Sequence, residues 1–189
     1  MAEADPGAPD RVFLVGLSGS GKSTVARIAA RRLGWRWRDT DAMVTRRTGM
    51  DIARVFERFG ESEFRRMERD CLLKTLEERR VIVATGGGLP VDERNRSDMR
   101  RSGIVVYLRT SPEACARHLR ASKRGEVRPL LDGEGTLETR LTDQLAARAP
   151  FYGEAQVVLD GDANSVEELA GTLVEAMGRL GNVLSSQPG

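Results

Sequence analysis

The stretch Gly16-Leu17-Ser18-Gly19-Ser20-Gly21-Lys22-Ser23-Thr24 leaves little freedom about what surrounds it. It fits G-x-x-x-x-G-K-[ST], a loop whose backbone N–H groups cradle phosphates. Gly16, Gly19 and Gly21 allow positive φ, so successive N–H groups can point into one concavity. A helix starting at the loop adds its own positive end. In such a loop the lysine, Lys22, reaches the β- and γ-phosphates, and the Ser23 hydroxyl holds Mg²⁺. Gly19, Ser20, Gly21, Lys22, Ser23 and Thr24 are therefore the candidate nucleotide contacts. The flanks agree: Val12-Phe13-Leu14-Val15 is a buried-strand run, and Val25, Ile28, Ala29 and Leu33 recur at helical spacing. A Gly/Ser-rich linker would carry neither flank.

At 189 residues, 40% hydrophobic and 31% charged, the chain suits one globular domain, expected over 11–180. Residues 1–10 read as a disordered N-terminus, and 181–189 as a flexible C-terminal tail. A net charge of +2 argues against a nucleic-acid partner and for a small anion met by a few placed arginines. Cys71 and Cys115 have no metal-ligand spacing and read as small core residues in a reducing compartment. His118 is the sole histidine, which rules out a His-rich metal site. There is no apolar run of membrane-spanning length and no signal-peptide core at the start. The expectation is a cytoplasmic monomer with no membrane partner.

Further along, Gly34 suits the end of the first helix. Trp35-Arg36-Trp37-Arg38 alternates as a strand does and delivers Asp39-Thr40-Asp41 at its carboxyl end, where open parallel sheets bind ligands. Residues 42–57 read as helical with a break at Gly49, and Gly60 precedes a long helix over 61–79. On that helix Phe64, Met67 and Cys71 share an apolar face, with Leu72 and Leu76 alongside. Val81-Ile82-Val83-Ala84 is a buried strand that runs into Thr85-Gly86-Gly87-Gly88. Three glycines there cost backbone entropy, so either the turn is loose or something approaches too closely for any Cβ. A short helix over 92–101, the strand Ile104–Leu108 and a capped helix from Ser111-Pro112-Glu113 follow. Residues 122–135 hold Lys123, Arg124, Arg128 and several glycines, the composition of a mobile lid. In the helix 136–149, Arg148 continues the stripe of Leu137, Leu141 and Leu145, as a snorkelling stem or as an anion ligand. Pro150 is expected to end that helix. Val157-Val158-Leu159 is a last strand and 164–180 a last helix. Alternating strands and helices make this an α/β, three-layer, parallel-sheet domain.

Taken together, these motifs resemble the shikimate kinase family, of the nucleoside-monophosphate-kinase-like P-loop group, from about Val12 to Asp160. The resemblance rests on the loop at 16–24, Asp39-Thr40-Asp41, Gly60-Glu61 followed by Phe64-Arg65, and Thr85-Gly86-Gly87-Gly88. It continues through Asn95-Arg96, Val105-Val106-Tyr107-Leu108, Arg128-Pro129-Leu130-Leu131 and Arg148-Ala149-Pro150 with Tyr152. It implies a sheet of order 2-3-1-4-5 and an ATP-dependent kinase of the shikimate pathway, with ATP and shikimate as partners and Mg²⁺ as cofactor. It also implies roles. Asp41 contacts the hydroxyl that accepts phosphate, and Asp39 holds Mg²⁺ with Ser23. Arg65 and Arg148 clamp the substrate carboxylate, with Gly86, Gly87 and Gly88 at the ring. Arg128 closes over the phosphates, and Phe56 and Phe64 shape the pocket. Lys22, Asp41 and Arg128 are the catalytic set.

The residues leave alternatives open. Asp39 and Asp41 could cap the next helix, and Arg65 could pair with Glu61 or Glu68 on its own helix. Arg128 could be a solvated charge. The loop Asp160-Gly161-Asp162-Ala163 lacks the basic residue that family members often carry beside the adenine, which leaves Arg117 as a candidate cover for the base. A gluconate or nucleotide kinase of the same fold, or a nucleotide-binding regulator without catalysis, are the competing functions. Thr85-Gly86-Gly87-Gly88 with Arg65 and Arg148 favours a ring carboxylate acceptor over the first. The joint presence of Lys22, Ser23, Asp39, Asp41 and Arg128 argues against the second.

Overall fold

A computed structural model describes residues 9–121 and 135–185. Its centre is a five-stranded parallel sheet of β1 (Arg11–Val15), β2 (Arg36–Asp39), β3 (Val81–Ala84), β4 (Ile104–Arg109) and β5 (Val157–Asp160), in the order β2-β3-β1-β4-β5. The register sets Phe13 beside Val83 and Val105, so the apolar runs of the three central strands lie side by side. Strands that read as continuous apolar runs are those covered on both faces. The helices supply the cover.

On one face α1 (Lys22–Leu33) and α7 (Val166–Ser185) pack through Val25, Ala29, Leu169 and Leu173 against Val12, Leu14, Ile82 and Val106. On the other, Phe13, Val15, Val83 and Tyr107 meet residues of α3 (Ile52–Leu76), α4 (Glu93–Ser102), α5 (Pro112–Ala121) and α6 (Leu137–Tyr152). A smaller core joins α2 (Thr40–Thr48) to α3, built from Val44, Val55, Phe64, Met67 and Cys71. Both cysteines are buried and unpaired. Among the described residues no helix is long and apolar enough to cross a membrane.

Local chemistry sets the element ends. Gly34 and Gly49 close α1 and α2 in the left-handed region, with φ of 66° and 69°. Asp39 caps α2 and Asp51 caps α3, each carboxylate accepting a backbone N–H. Gly60, with φ 76° and ψ 172°, breaks the helical path inside α3 where the sequence places a boundary.

Two helix ends run past expectation. Pro150 does not end α6, which runs on to Tyr152. Proline inside a helix costs about 3 kcal/mol. Tyr152 offsets much of that, because its ring is fully buried against Tyr107 and its hydroxyl donates to the Gly87 carbonyl at 2.6 Å. Burying such a ring is worth about 1.5–3 kcal/mol and a buried hydrogen bond about 1 kcal/mol more. At the other end, α7 continues through Ser185.

Candidate active site

Three strands, β1, β2 and β3, deliver their carboxyl ends to one place. The loop after β1 folds over the N-terminus of α1, with Gly16, Gly19 and Gly21 at φ of 142°, 84° and 92°. A Cβ on Gly16 would stand 2.6 Å from the Leu108 carbonyl, and one on Gly19 2.6 Å from the Cys115 carbonyl. Both glycines are thus required twice over, by φ and by space. A cleft of about 230 Å³ opens above the loop, lined by Ser18, Gly19, Gly21, Lys22, Ser23 and Thr24 together with Asp39, Asp41, Thr85 and Gly87. Ser20 sits beneath it, buried.

Lys22 is buried and folded onto the loop. Its ammonium donates to the Gly16 and Leu17 carbonyls at 2.8 and 2.6 Å and to Ser20 Oγ at 3.3 Å. The Ser23 hydroxyl donates to Asp39 Oδ2, while Asp39 Oδ1 accepts the Ala42 N–H at 3.1 Å. Asp39 therefore does both things the sequence left open: it caps α2 and it faces Ser23. A hydroxyl and a carboxylate side by side next to a phosphate loop are the hard oxygen donors that Mg²⁺ takes.

The glycine run after β3 is held from several sides. Gly86 N–H donates to the buried Thr40 hydroxyl at 2.8 Å, and the Thr85 hydroxyl donates to the Leu14 carbonyl at 2.9 Å. The close approach anticipated at these glycines is made by the chain's own side chains. A Cβ on Gly86 would lie 1.9 Å from Glu68 Oε1 and 2.6 Å from Asp41 Oδ1, and one on Gly88 2.5 Å from the Arg65 guanidinium. Asp41 and Glu68 thus flank one glycine. Burial pushes the Glu68 carboxyl up to about 7; the Asp41 charge adds to the rise and Arg65 opposes it.

Arg65 already has partners, both on its own helix. It donates to Glu68 Oε2 at 2.7 Å and to Glu61 Oε1 at 3.1 and 3.3 Å. Burial works against its charge, but Glu68 and Glu61 outweigh it and hold the guanidinium above its ordinary value. Arg148 donates to Gln144 Oε1 at 3.0 Å and comes within 3.4 Å of where a Gly87 Cβ would be. Arg65 and Arg148 lie on α3 and α6, yet both line a second cleft of about 490 Å³, with Gly88, Leu89, Asn95 and Glu61. Gly87 stands between the two clefts. It lines the first, and a Cβ on it would sit 3.3 Å from Ser18 N on the loop side.

Other sequence expectations fare differently. Phe56 and Phe64 pack with tilted rings, centroids 4.5 Å apart, within the small α2–α3 core and are not among the lining of either cleft. Arg117 is exposed on α5, while its neighbours His118 and Leu119 line the phosphate cleft. Arg128 and the expected lid over 122–135 fall outside the described residues, Gly135 excepted. Sequence reasoning gave no role to Tyr152, whose phenol burial pushes up to about 12, so it stays a donor to Gly87. It treated Glu68 only as a partner for Arg65. The signal was a glutamate on the same side of α3 as Phe64 and Cys71, where an unpaired charge is costly.

The sequence profile of the shikimate kinase family matches residues 18–178. A shikimate kinase of Nitratidesulfovibrio vulgaris is 45% identical over 154 residues, 81% of this chain and 87% of that protein. Among solved structures, the shikimate kinase of Acinetobacter baumannii in complex with shikimate superposes with a TM-score of 0.83 at 34% identity, over 92% of this chain and 95% of that one. A gluconokinase of Sinorhizobium meliloti, at 20% identity and a TM-score of 0.62, covers 96% of this chain and 98% of its own and shares the fold alone. The chain belongs to the shikimate kinase family, as an ATP-dependent kinase that phosphorylates shikimate.

Proposed function

We propose that the chain transfers the γ-phosphate of ATP to the 3-hydroxyl of shikimate, with Mg²⁺, in a reducing cytoplasmic setting. The observation that carries this is the placement of Gly87. On one side of it lies a phosphate loop with Lys22 and Asp41; on the other lie two arginines from separate helices. A small ring acid spanning that glycine would have its carboxylate among guanidinium groups and a hydroxyl directed at the phosphates.

Each residue then has a task. The N–H groups of the loop and Lys22 hold the β- and γ-phosphates. Ser23 and Asp39 would hold Mg²⁺, which when bound supplies positive charge to offset that of the phosphates. Asp41 orients the acceptor hydroxyl and takes its proton as the oxygen attacks phosphorus and the bond to the ADP oxygen breaks. Arg65 and Arg148 fix the carboxylate, and Glu68 and Glu61 fix Arg65. Arg128 is assigned to the phosphates by its motif. Positioning of this kind is worth more to phosphoryl transfer than covalent chemistry.

Purified chain with Mg²⁺-ATP is expected to release ADP only when shikimate is added. Release with gluconate or a nucleoside monophosphate, and none with shikimate, would overturn the reading. Arg148→Ala is expected to raise the shikimate KM by roughly ten- to a hundredfold, since charge-assisted hydrogen bonds are worth about 1.5–3 kcal/mol. The ATP KM should hardly change, because Arg148 lines the other cleft. The control is an acceptor whose carboxylate has been reduced to an alcohol. It should bind wild type and variant about equally, and a variant whose preference for the carboxylate is unchanged, with stability preserved, would make Arg148 structural.

A further inference from the structure

One contact to the phosphate loop comes from outside the loop and from outside the residues that carry the reaction. His118, the sole histidine, sits in the last turns of α5 and lines the phosphate cleft. Its Nδ1 is 2.9 Å from the Gly19 carbonyl oxygen. A carbonyl only accepts, so Nδ1 carries the proton and donates, which sets the tautomer. The same Gly19 is pressed against α5, with Cys115 O and Leu119 Cγ occupying the space its Cβ would need.

What this contact fixes follows from peptide planarity. The peptide joining Gly19 to Ser20 is a rigid plate with its C=O and N–H on opposite edges. Its N–H, from Ser20, donates to the Leu17 carbonyl at 3.2 Å. Its C=O, from Gly19, accepts from His118. The plate is therefore pinned at both edges. The next residues, Gly21 and Lys22, form the end of the cradle and the start of α1. Rotation of the 19–20 plate would swing their N–H groups. Behind His118, α5 is braced two residues on, where Arg120 donates to both carboxylate oxygens of Glu138 on α6, at 2.5 and 2.8 Å.

We propose that His118 is a positioning residue for the phosphate-binding loop: its hydrogen bond to the Gly19 carbonyl sets the peptide plane that aims the loop at the phosphates of ATP. This rests on the reading of the loop as the ATP phosphate site. His118 acts through Gly19, so its effect belongs to phosphate affinity and not to the acceptor. The ring is exposed, so water competes for the bond and the effect is modest, about three- to tenfold in affinity.

The test uses His118→Ala and His118→Asn, with binding of ATP, inorganic tripolyphosphate and shikimate measured by calorimetry in the presence of Mg²⁺. Tripolyphosphate carries phosphates and no base. Asparagine places an amide N–H on Cγ, where the Nδ1–H of histidine stands. The alanine variant is expected to lose about three- to tenfold in affinity for ATP and tripolyphosphate alike, with shikimate unchanged. The asparagine variant should recover most of the loss. Unchanged ATP binding in the alanine variant overturns the proposal. So does a loss for ATP but not tripolyphosphate, which would make His118 a contact for the base. So does an asparagine variant no better than alanine, or a wild type that binds ATP but not tripolyphosphate. A wild type that binds neither ATP nor tripolyphosphate would instead remove the functional reading beneath it.

Discussion

Lys22→Ala is expected to lower kcat by roughly 10²–10³, the usual worth of one preorganised group aimed at developing charge. Lys22 is built for that role more than for packing. Its stem is buried, but its ammonium spends its hydrogen bonds on the Gly16 and Leu17 carbonyls and Ser20 Oγ, all within the loop itself. Those carbonyls hold the ammonium against the loop that, on the proposed reading, takes the β- and γ-phosphates. On the proposed reading, the ammonium exchanges some of those bonds for phosphate oxygens, and the charge spreading over the transferred phosphoryl group meets a cation already held in the loop. The variant loses the loop contacts as well as the charge, so stability must be read separately. Shikimate affinity and thermal unfolding midpoint should stay near wild type, because the acceptor arginines line another cleft and the core around β1 is untouched. Single-turnover phosphoryl transfer is the measurement. A rate within threefold of wild type would remove Lys22 from the catalytic set.

How far the sequence carries such reasoning depends on the range of the interaction. Four strands were legible because each is a short apolar run between turn residues, the form a parallel sheet favours, and β2 was legible by the alternation of Trp35-Arg36-Trp37-Arg38. The order 2-3-1-4-5 came instead with the family resemblance, since strand order is a non-local property that spacing does not encode. The loop at 16–24 was legible residue by residue because its chemistry is local: positive φ, a helix start, a lysine at fixed reach. The extent of α6 was not. Pro150 is a local stop signal, and what overrides it is the burial of Tyr152 and its bond to Gly87, 65 residues away in sequence.

The acceptor cleft shows the same division. Spacing showed that Arg65 could reach Glu61 and Glu68, four residues before and three after, but not that it would pair with both. The resemblance implied a substrate carboxylate at Arg65, and Glu61 and Glu68 already supply much of the compensation for its charge. The glycine run was recognised as a place of close approach. That the approaching groups are Glu68, Asp41 and Arg65 required the packing of α2 and α3 against the end of β3. His118 counted in the sequence only as the absence of a histidine cluster; its contact with Gly19 spans 99 residues and has no local signature.

Asp41→Asn is the second large effect, with kcat falling roughly 10²–10⁴, the range for loss of a positioned proton acceptor. Two roles are open to Asp41, and the substitution separates them. As an acid in the first turn of α2 it favours that helix end, an effect of about 0.3–1 kcal/mol on stability and none on chemistry. As the acceptor of the hydroxyl proton it is needed each turnover. Asparagine keeps the size and one carbonyl lone-pair edge, so the hydroxyl can still be oriented, but the amide does not take the proton. The loose transition state of phosphoryl transfer delays proton loss, which favours the lower part of the range. Glu68 is a poor substitute base, since it is buried and engaged with Arg65. The variant carries an internal check. Asp41's charge is one of the causes that raise the Glu68 carboxyl to about 7, second to burial, so removing it must lower that value. Carbon-detected NMR of the Glu68 carboxyl across pH 5–9 should therefore titrate at lower pH in Asp41→Asn than in wild type. If kcat falls less than tenfold while the Glu68 titration moves as expected, Asp41 sits where it should but does not take the proton. If the titration does not move at all, Asp41 and Glu68 do not share the space around Gly86, and the acceptor end of the site is arranged differently.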